Sequence, residues 1–105
     1  MNIINLTPHS VSVITPTGTT ITFPPSNKIA RVSQTNTLSQ FINGIPIYNT
    51  VYGTIENIPD TTPDTLLIVS SILKSLLPNR TDLISPTNLV RDHTGNIIGC
   101  KGFTI

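Results

Sequence analysis

Three arginines stand out in a chain that spends almost no charge elsewhere. Arg31 lies in Ile29-Ala30-Arg31-Val32, Arg80 in Asn79-Arg80-Thr81-Asp82, and Arg91 in Leu89-Val90-Arg91-Asp92. A planar guanidinium holds phosphate or carboxylate through two parallel hydrogen bonds and stacks on flat rings. These residues are therefore candidate contacts to an anionic ligand. Their competing use is internal pairing, Arg80 with Asp82 and Arg91 with Asp92. His9, just after Thr7-Pro8, is a candidate general base or phosphate contact, or else bonds its own turn. His93 adjoins Asp92, but neighbours on an extended chain point opposite ways, which argues against a dyad. Ser70 and Ser71 stand at a strand-to-helix junction without the flanking glycines of a nucleophile elbow. They read as a helix N-cap, where free backbone amides favour anions. Tyr48 and Tyr52 lie near a hairpin and are candidates to stack a ring, whereas Phe23, Phe41 and Phe103 read as core. The pattern names no catalytic residue, no metal ligands and no cofactor. Two distant histidines and scattered carboxylates lack metal-ligand spacing. The single cysteine, Cys100, makes no intrachain disulfide and reads as a buried, reduced thiol.

These residues sit on one domain, residues 1–105, because 105 residues leave no room for a second core. Hydrophobic residues make up 37%, and the mean hydropathy of +0.16 is too high for a disordered chain. Charged residues are only 10%, against about 25% in ordinary domains. A net charge of +1 with no basic cluster gives no footprint for nucleic acid. The longest apolar run, residues 66–69, is far short of a membrane span. The first residues lack the basic and apolar regions of a signal peptide, so the expected location is cytoplasmic. Polarity comes from 17 Thr, 10 Asn and 9 Ser, and so weakly charged a surface repels its own copies poorly. A homo-oligomer, a dimer or a multiple of one, is expected, with sites at or near the subunit interface.

Sixteen Ile and the many Thr, all β-branched, favour strands. Residues 2–6, 10–15 and 19–23 read as strands, the last two joined by the Pro16-Thr17-Gly18 turn. Pro24-Pro25 breaks the ladder, and residues 29–32 resume as a short strand. Asn43-Gly44 joins residues 38–42 to residues 45–49 in a type I′ hairpin, with Pro46 at an edge. The proline-rich residues 59–64 are an exposed connection. Residues 65–69 form a continuous apolar run suited to a strand covered on both faces. One short helix follows at about residues 70–77, with Ile72, Leu73, Leu76 and Leu77 on one face, and Pro78 stops it. Residues 82–84 and 88–90 are brief extended pieces, and residues 97–105 a strand kinked at Gly99 and Gly102. The fold class is α+β: a β-rich antiparallel or mixed sheet, open or closed into a small barrel, with one short helix against it.

The segments Ile4-Asn5-Leu6-Thr7-Pro8-His9, Phe23-Pro24-Pro25-Ser26, Ala30-Arg31-Val32, Ile68-Val69-Ser70, Val90-Arg91-Asp92 and Ile98-Gly99-Cys100 occur in that order along nearly the whole chain. In this the chain resembles a family of small proteins carried by phages, prophages and some bacteria, marked by an N-terminal NLTPH motif. The resemblance implies an accessory role, of the kind that acts on host defence in the host cytoplasm. Together with the arginines, it leads to the expectation of a non-enzymatic protein that sequesters a nucleotide-derived, phosphate-bearing small molecule. Arg31, Arg80 and Arg91 would hold the anion, Ser70, Ser71 and His9 would add hydrogen bonds, and Tyr48 would stack a ring. The alternative is a protein–protein interaction module without a small ligand, an inhibitor or minor structural protein, for which low charge and β-rich edges suit strand addition. A small hydrolase using His9 or His93 is the third reading.

Overall fold

Thr65-Leu66-Leu67-Ile68 is too apolar for an edge, and the chain places it between two parallel neighbours. The computed structural model describes residues 1–105. Eight strands and one helix follow in the order β1 (Asn2–Asn5), β2 (Val11–Ile14), β3 (Thr20–Phe23), β4 (Arg31–Ile42), β5 (Ile45–Glu56), β6 (Thr65–Ile68), α1 (Ser71–Leu76), β7 (Leu83–Arg91) and β8 (Ile97–Thr104). Six strands form one mixed sheet in the order β1-β6-β7-β8-β2-β3. β6 runs parallel to both β1 and β7, with Ile3 opposite Leu66 and Leu67 opposite Leu83. Leu67, Ile68 and Val69 are buried, as a strand covered on both faces requires. β7 and β8 are antiparallel, and β2 joins β8 in parallel where Val13 meets Cys100. The sheet curls until it nearly closes as a small barrel. At the gap Asn5 of β1 donates from Nδ2 to the Phe23 carbonyl of β3 at 2.9 Å. The architecture is β-rich α+β, as the composition indicates.

Leu6, Leu67, Val69, Leu73 and Leu83 form the core beneath α1. Each such side chain contributes about 1.5–3 kcal/mol when fully withdrawn from water. The helix starts where Ser70 Oγ accepts from the Leu73 amide at 3.2 Å, satisfying one of the free amides of its first turn. It is shorter than the expected residues 70–77, starting one residue later and ending one earlier. Of the four apolar positions assigned to its inner face only Leu73 is buried, and Ile72 is 41% exposed. Six residues make fewer than two turns, so one position alone points squarely at the sheet. The two extended pieces expected at residues 82–84 and 88–90 are one strand, β7, which runs through Pro86 because its partners reach it from either side at different points.

The larger departure is β4 and β5. The short strand expected at residues 29–32 starts at Arg31 and continues for 12 residues, as does its partner. They pair only with each other, as a second, two-stranded sheet. Asn43 and Gly44 have φ of 51° and 76°, the positive values of the expected hairpin turn. The polar residues 33–37, between the strands expected at 29–32 and 38–42, have no apolar alternation. Cross-strand pairing carries the ladder through them, with Asn36 opposite Thr50 and a 3.0 Å bond from Thr50 Oγ1 to Asn36 Oδ1. Phe41, assigned to the core from its strand pattern, is 64% exposed on this arm. Phe23 and Phe103 instead meet edge-to-face at 5.9 Å in the body. No helix is long and apolar enough to cross a membrane.

Candidate functional site

The NLTPH segment is a turn built around one buried amide. Asn5 is 2% exposed. Its Nδ2 donates to the carbonyls of His9 and Phe23 at 2.8 and 2.9 Å, and its Oδ1 accepts from the Thr7 amide at 2.9 Å and the Thr7 hydroxyl at 2.6 Å. Both donors and the acceptor oxygen are thus satisfied within the chain. The turn uses the backbone of His9 and leaves its imidazole exposed. Two further bonds align the following loop with β1: the Ser26 amide donates to the Asn5 carbonyl, and the Ala30 amide to the Leu6 carbonyl, each at 2.9 Å. Arg31 is thereby delivered beside the NLTPH turn at the start of β4.

A cleft of about 500 Å³ opens between this turn, the segment 29–34 and the start of α1. Buried Leu73 and half-buried Ala30 belong to its lining, and exposed Arg31, Gln34 and Ser70 are its polar side chains. Arg31 faces Glu56 across the β4–β5 ladder, yet its guanidinium makes no ion pair or hydrogen bond within the chain. Ser70 Oγ already accepts from the Leu73 amide. Its own proton remains free to donate. The arrangement can hold an anionic group at Arg31 and pack an apolar or flat group against the cleft wall. It offers no nucleophile–base pair.

The three arginines do not converge. Arg80 grips Asp82 with two bonds, Nε to Oδ1 and Nη2 to Oδ2, both 2.8 Å, and Nη2 also donates to the Pro59 carbonyl at 2.9 Å. Its guanidinium therefore fastens the connection at residues 59–64 to the body. The hydrogen bonds from Arg80 hold the Asp82 carboxyl below the usual carboxylate range, with burial opposing that shift. Arg91 Nη1 donates to the Gly95 carbonyl at 2.8 Å across the β7–β8 turn. In the same turn Asp92 Oδ1 accepts from the Thr94 hydroxyl and from the amides of Thr94 and Asn96 at 2.6–3.0 Å. These bonds, the Thr94 hydroxyl first, lower its pKa as well. Asp92 thus serves the turn and makes no bond to His93. Ser71 is the exposed first residue of α1 and does not line the cleft. Tyr48 is opposite Leu38 on the arm, seven residues along β4 from Arg31, or about 23 Å at strand spacing.

Of the seven candidate ligand residues, Arg31 and Ser70 meet in the cleft, and His9 adjoins its Pro8 wall. Gln34 and Pro8 went unrecognised. Gln34 lies in the polar residues 33–37, which no periodicity marks, whereas Pro8 is inside the NLTPH segment. Cys100 is 1% exposed in the core. No protein-family model, curated protein or solved structure matches the chain.

Proposed function

We propose that this protein binds and sequesters a nucleotide-derived, phosphate-bearing small molecule, without transforming it, in the cleft that Arg31 serves. One observation carries the reading: an exposed guanidinium with no partner of its own beside an apolar-walled cleft of about 500 Å³. That volume lies within the range of small-molecule sites, about 300–1,000 Å³. A phosphate would pair with Arg31 bidentately, Ser70 and Gln34 would add hydrogen bonds, and the base or ribose would lie against Ala30, Leu73 and Ile72. Arg80 and Arg91 are left to the structural bonds described above. Such a protein would act in the cytoplasm, the host's if a phage encodes it, as an accessory factor against a nucleotide signal.

The test is to incubate the purified protein with cyclic nucleotides and ADP-ribose derivatives, follow their depletion, then release them by heat and weigh them. Intact ligand should be recovered from the unmodified chain and from Arg91→Ala. Arg31→Ala should lose most of the binding, since a hydrogen bond to a charged group contributes about 1.5–3 kcal/mol, roughly a tenfold to hundredfold change in affinity. Undepleted ligand would refute the reading for those compounds, and a chemically altered product would restore the hydrolase.

A second reading, the interaction module without a small ligand, is favoured by the β4–β5 arm, whose large apolar side chains from Leu38 to Tyr52 are left exposed. A module would bind nothing when purified alone and would need its protein partner.

A further inference from the structure

We propose that the β4–β5 arm is an oligomerisation element and that a second copy of this chain covers it. The two faces of the arm are both apolar and both bare. Ile45, Ile47 and Val51 project from one face and Phe41, Tyr48 and Tyr52 from the other, each between 38% and 64% exposed. A lone two-stranded hairpin is marginal in water, so strands of 12 residues need a covering surface. The area available is sufficient. The chain exposes 7252 Å² where a compact protein of 11.3 kDa exposes ~5,700 Å², a surplus of roughly 1,500 Å². A standard interface takes about 800 Å² from each partner. The radius of gyration tells the same story, 16.6 Å against ~13 Å for a compact chain of this length.

Charge selects the occupant. Between Arg31 and Glu56, the two end residues nearest the body, the arm holds no Lys, Arg, His, Asp or Glu. It therefore gives a foreign partner no charge pattern to read. Two copies meet no like-charge repulsion along it, and a two-fold contact uses the same apolar patch twice. This inference is independent of the ligand reading: the arm can assemble whether or not the Arg31 cleft binds a nucleotide.

Light scattering on the unmodified chain should give a multiple of 11.3 kDa. Hydrogen exchange should show the amides of residues 34–52 protected in the assembled protein and exposed on dilution. Replacing Phe41→Ser together with Tyr48→Ser should return the mass towards 11.3 kDa with the body's circular dichroism retained, whereas Ile97→Ser, at an exposed body position, should leave assembly intact. A mass of 11.3 kDa at every concentration would overturn the proposal. So would an oligomer whose arm amides exchange freely, or one that survives the double substitution. Protection of the arm only after adding a different protein or lipid vesicles would overturn it too. The exchange measurement decides the matter even if the double variant fails to fold.

Discussion

Asn5 carries more of the structure than any charged residue, because its buried amide closes the turn and links β1 to β3. Asn5→Ala strands the Thr7 amide and the His9 and Phe23 carbonyls, at a cost of about 2–4 kcal/mol that urea unfolding would measure. Asn5→Asp has the same shape and should be no milder, since an oxygen would then face two carbonyl oxygens. Asp82 sets the acid limit. Its folded pKa lies below its unfolded value, so the pair with Arg80 stabilises the fold fully above the ordinary carboxylate range and loses that contribution as pH falls through the folded pKa. The thermal midpoint should therefore drop as pH falls below the ordinary carboxylate range. Asp82→Asn should flatten part of that slope, and Asp92, whose pKa is lowered in the β7–β8 turn, acts in the same direction. The candidate site was legible at this scale only for Arg31 and Ser70. The sequence offered both a ligand and a neighbouring carboxylate to each of the other two arginines: Arg80 takes Asp82 as its internal partner, whereas Arg91 bonds the Gly95 carbonyl and not Asp92.

Among the elements, hairpins were easiest to read because turn chemistry is local. The Asn43-Gly44 turn needs two positive φ angles. Gly44→Val would place a β-branched side chain there, at about 1–2 kcal/mol or more, and should show first as faster amide exchange in the arm. Gly99 illustrates the opposite case, a glycine whose role depends on another strand. A Cβ there would stand 3.0 Å from the Ser12 carbonyl oxygen of β2, and a backbone atom cannot rotate away. Gly99→Ala should cost about 1–3 kcal/mol in denaturant unfolding, through strain at the β2–β8 seam. From sequence Gly99 read as a kink; its actual use is the close approach of a neighbour. α1 was legible from its Ser70 cap and Pro78 stop, while its single buried contact depended on the sheet beneath it.

The whole molecule is a nearly closed six-stranded body with a long bare arm. If the arm is covered by a second copy, folding and association are linked, and the melting temperature should rise with protein concentration. Differential scanning calorimetry over a dilution series checks this, and a midpoint independent of concentration would count against assembly. The Arg31 cleft lies at the base of the arm, with Arg31, Val32 and Gln34 all on β4. Ligand binding and arm packing therefore share an element. A saturating phosphate-bearing ligand should raise the same midpoint further in the unmodified chain and not in Arg31→Ala.

By itself the sequence determined what depends on near neighbours: the β-branched bias towards strands, the Asn43-Gly44 turn, the Ser70 cap, the apolar run of β6 and the thin charge. Those follow from backbone preference and short-range hydrogen bonding, which act within a few residues. Only the tertiary structure decided which polar groups were already spent and which apolar ones were left bare. It tied Arg80 to the Pro59 carbonyl, buried Asn5 at the barrel seam, set Arg31 free beside Ser70 and carried Phe41 out of the core on a 12-residue strand. Each outcome depends on burial, on a distant partner or on which of several near groups is left without one, and one-dimensional spacing does not encode that.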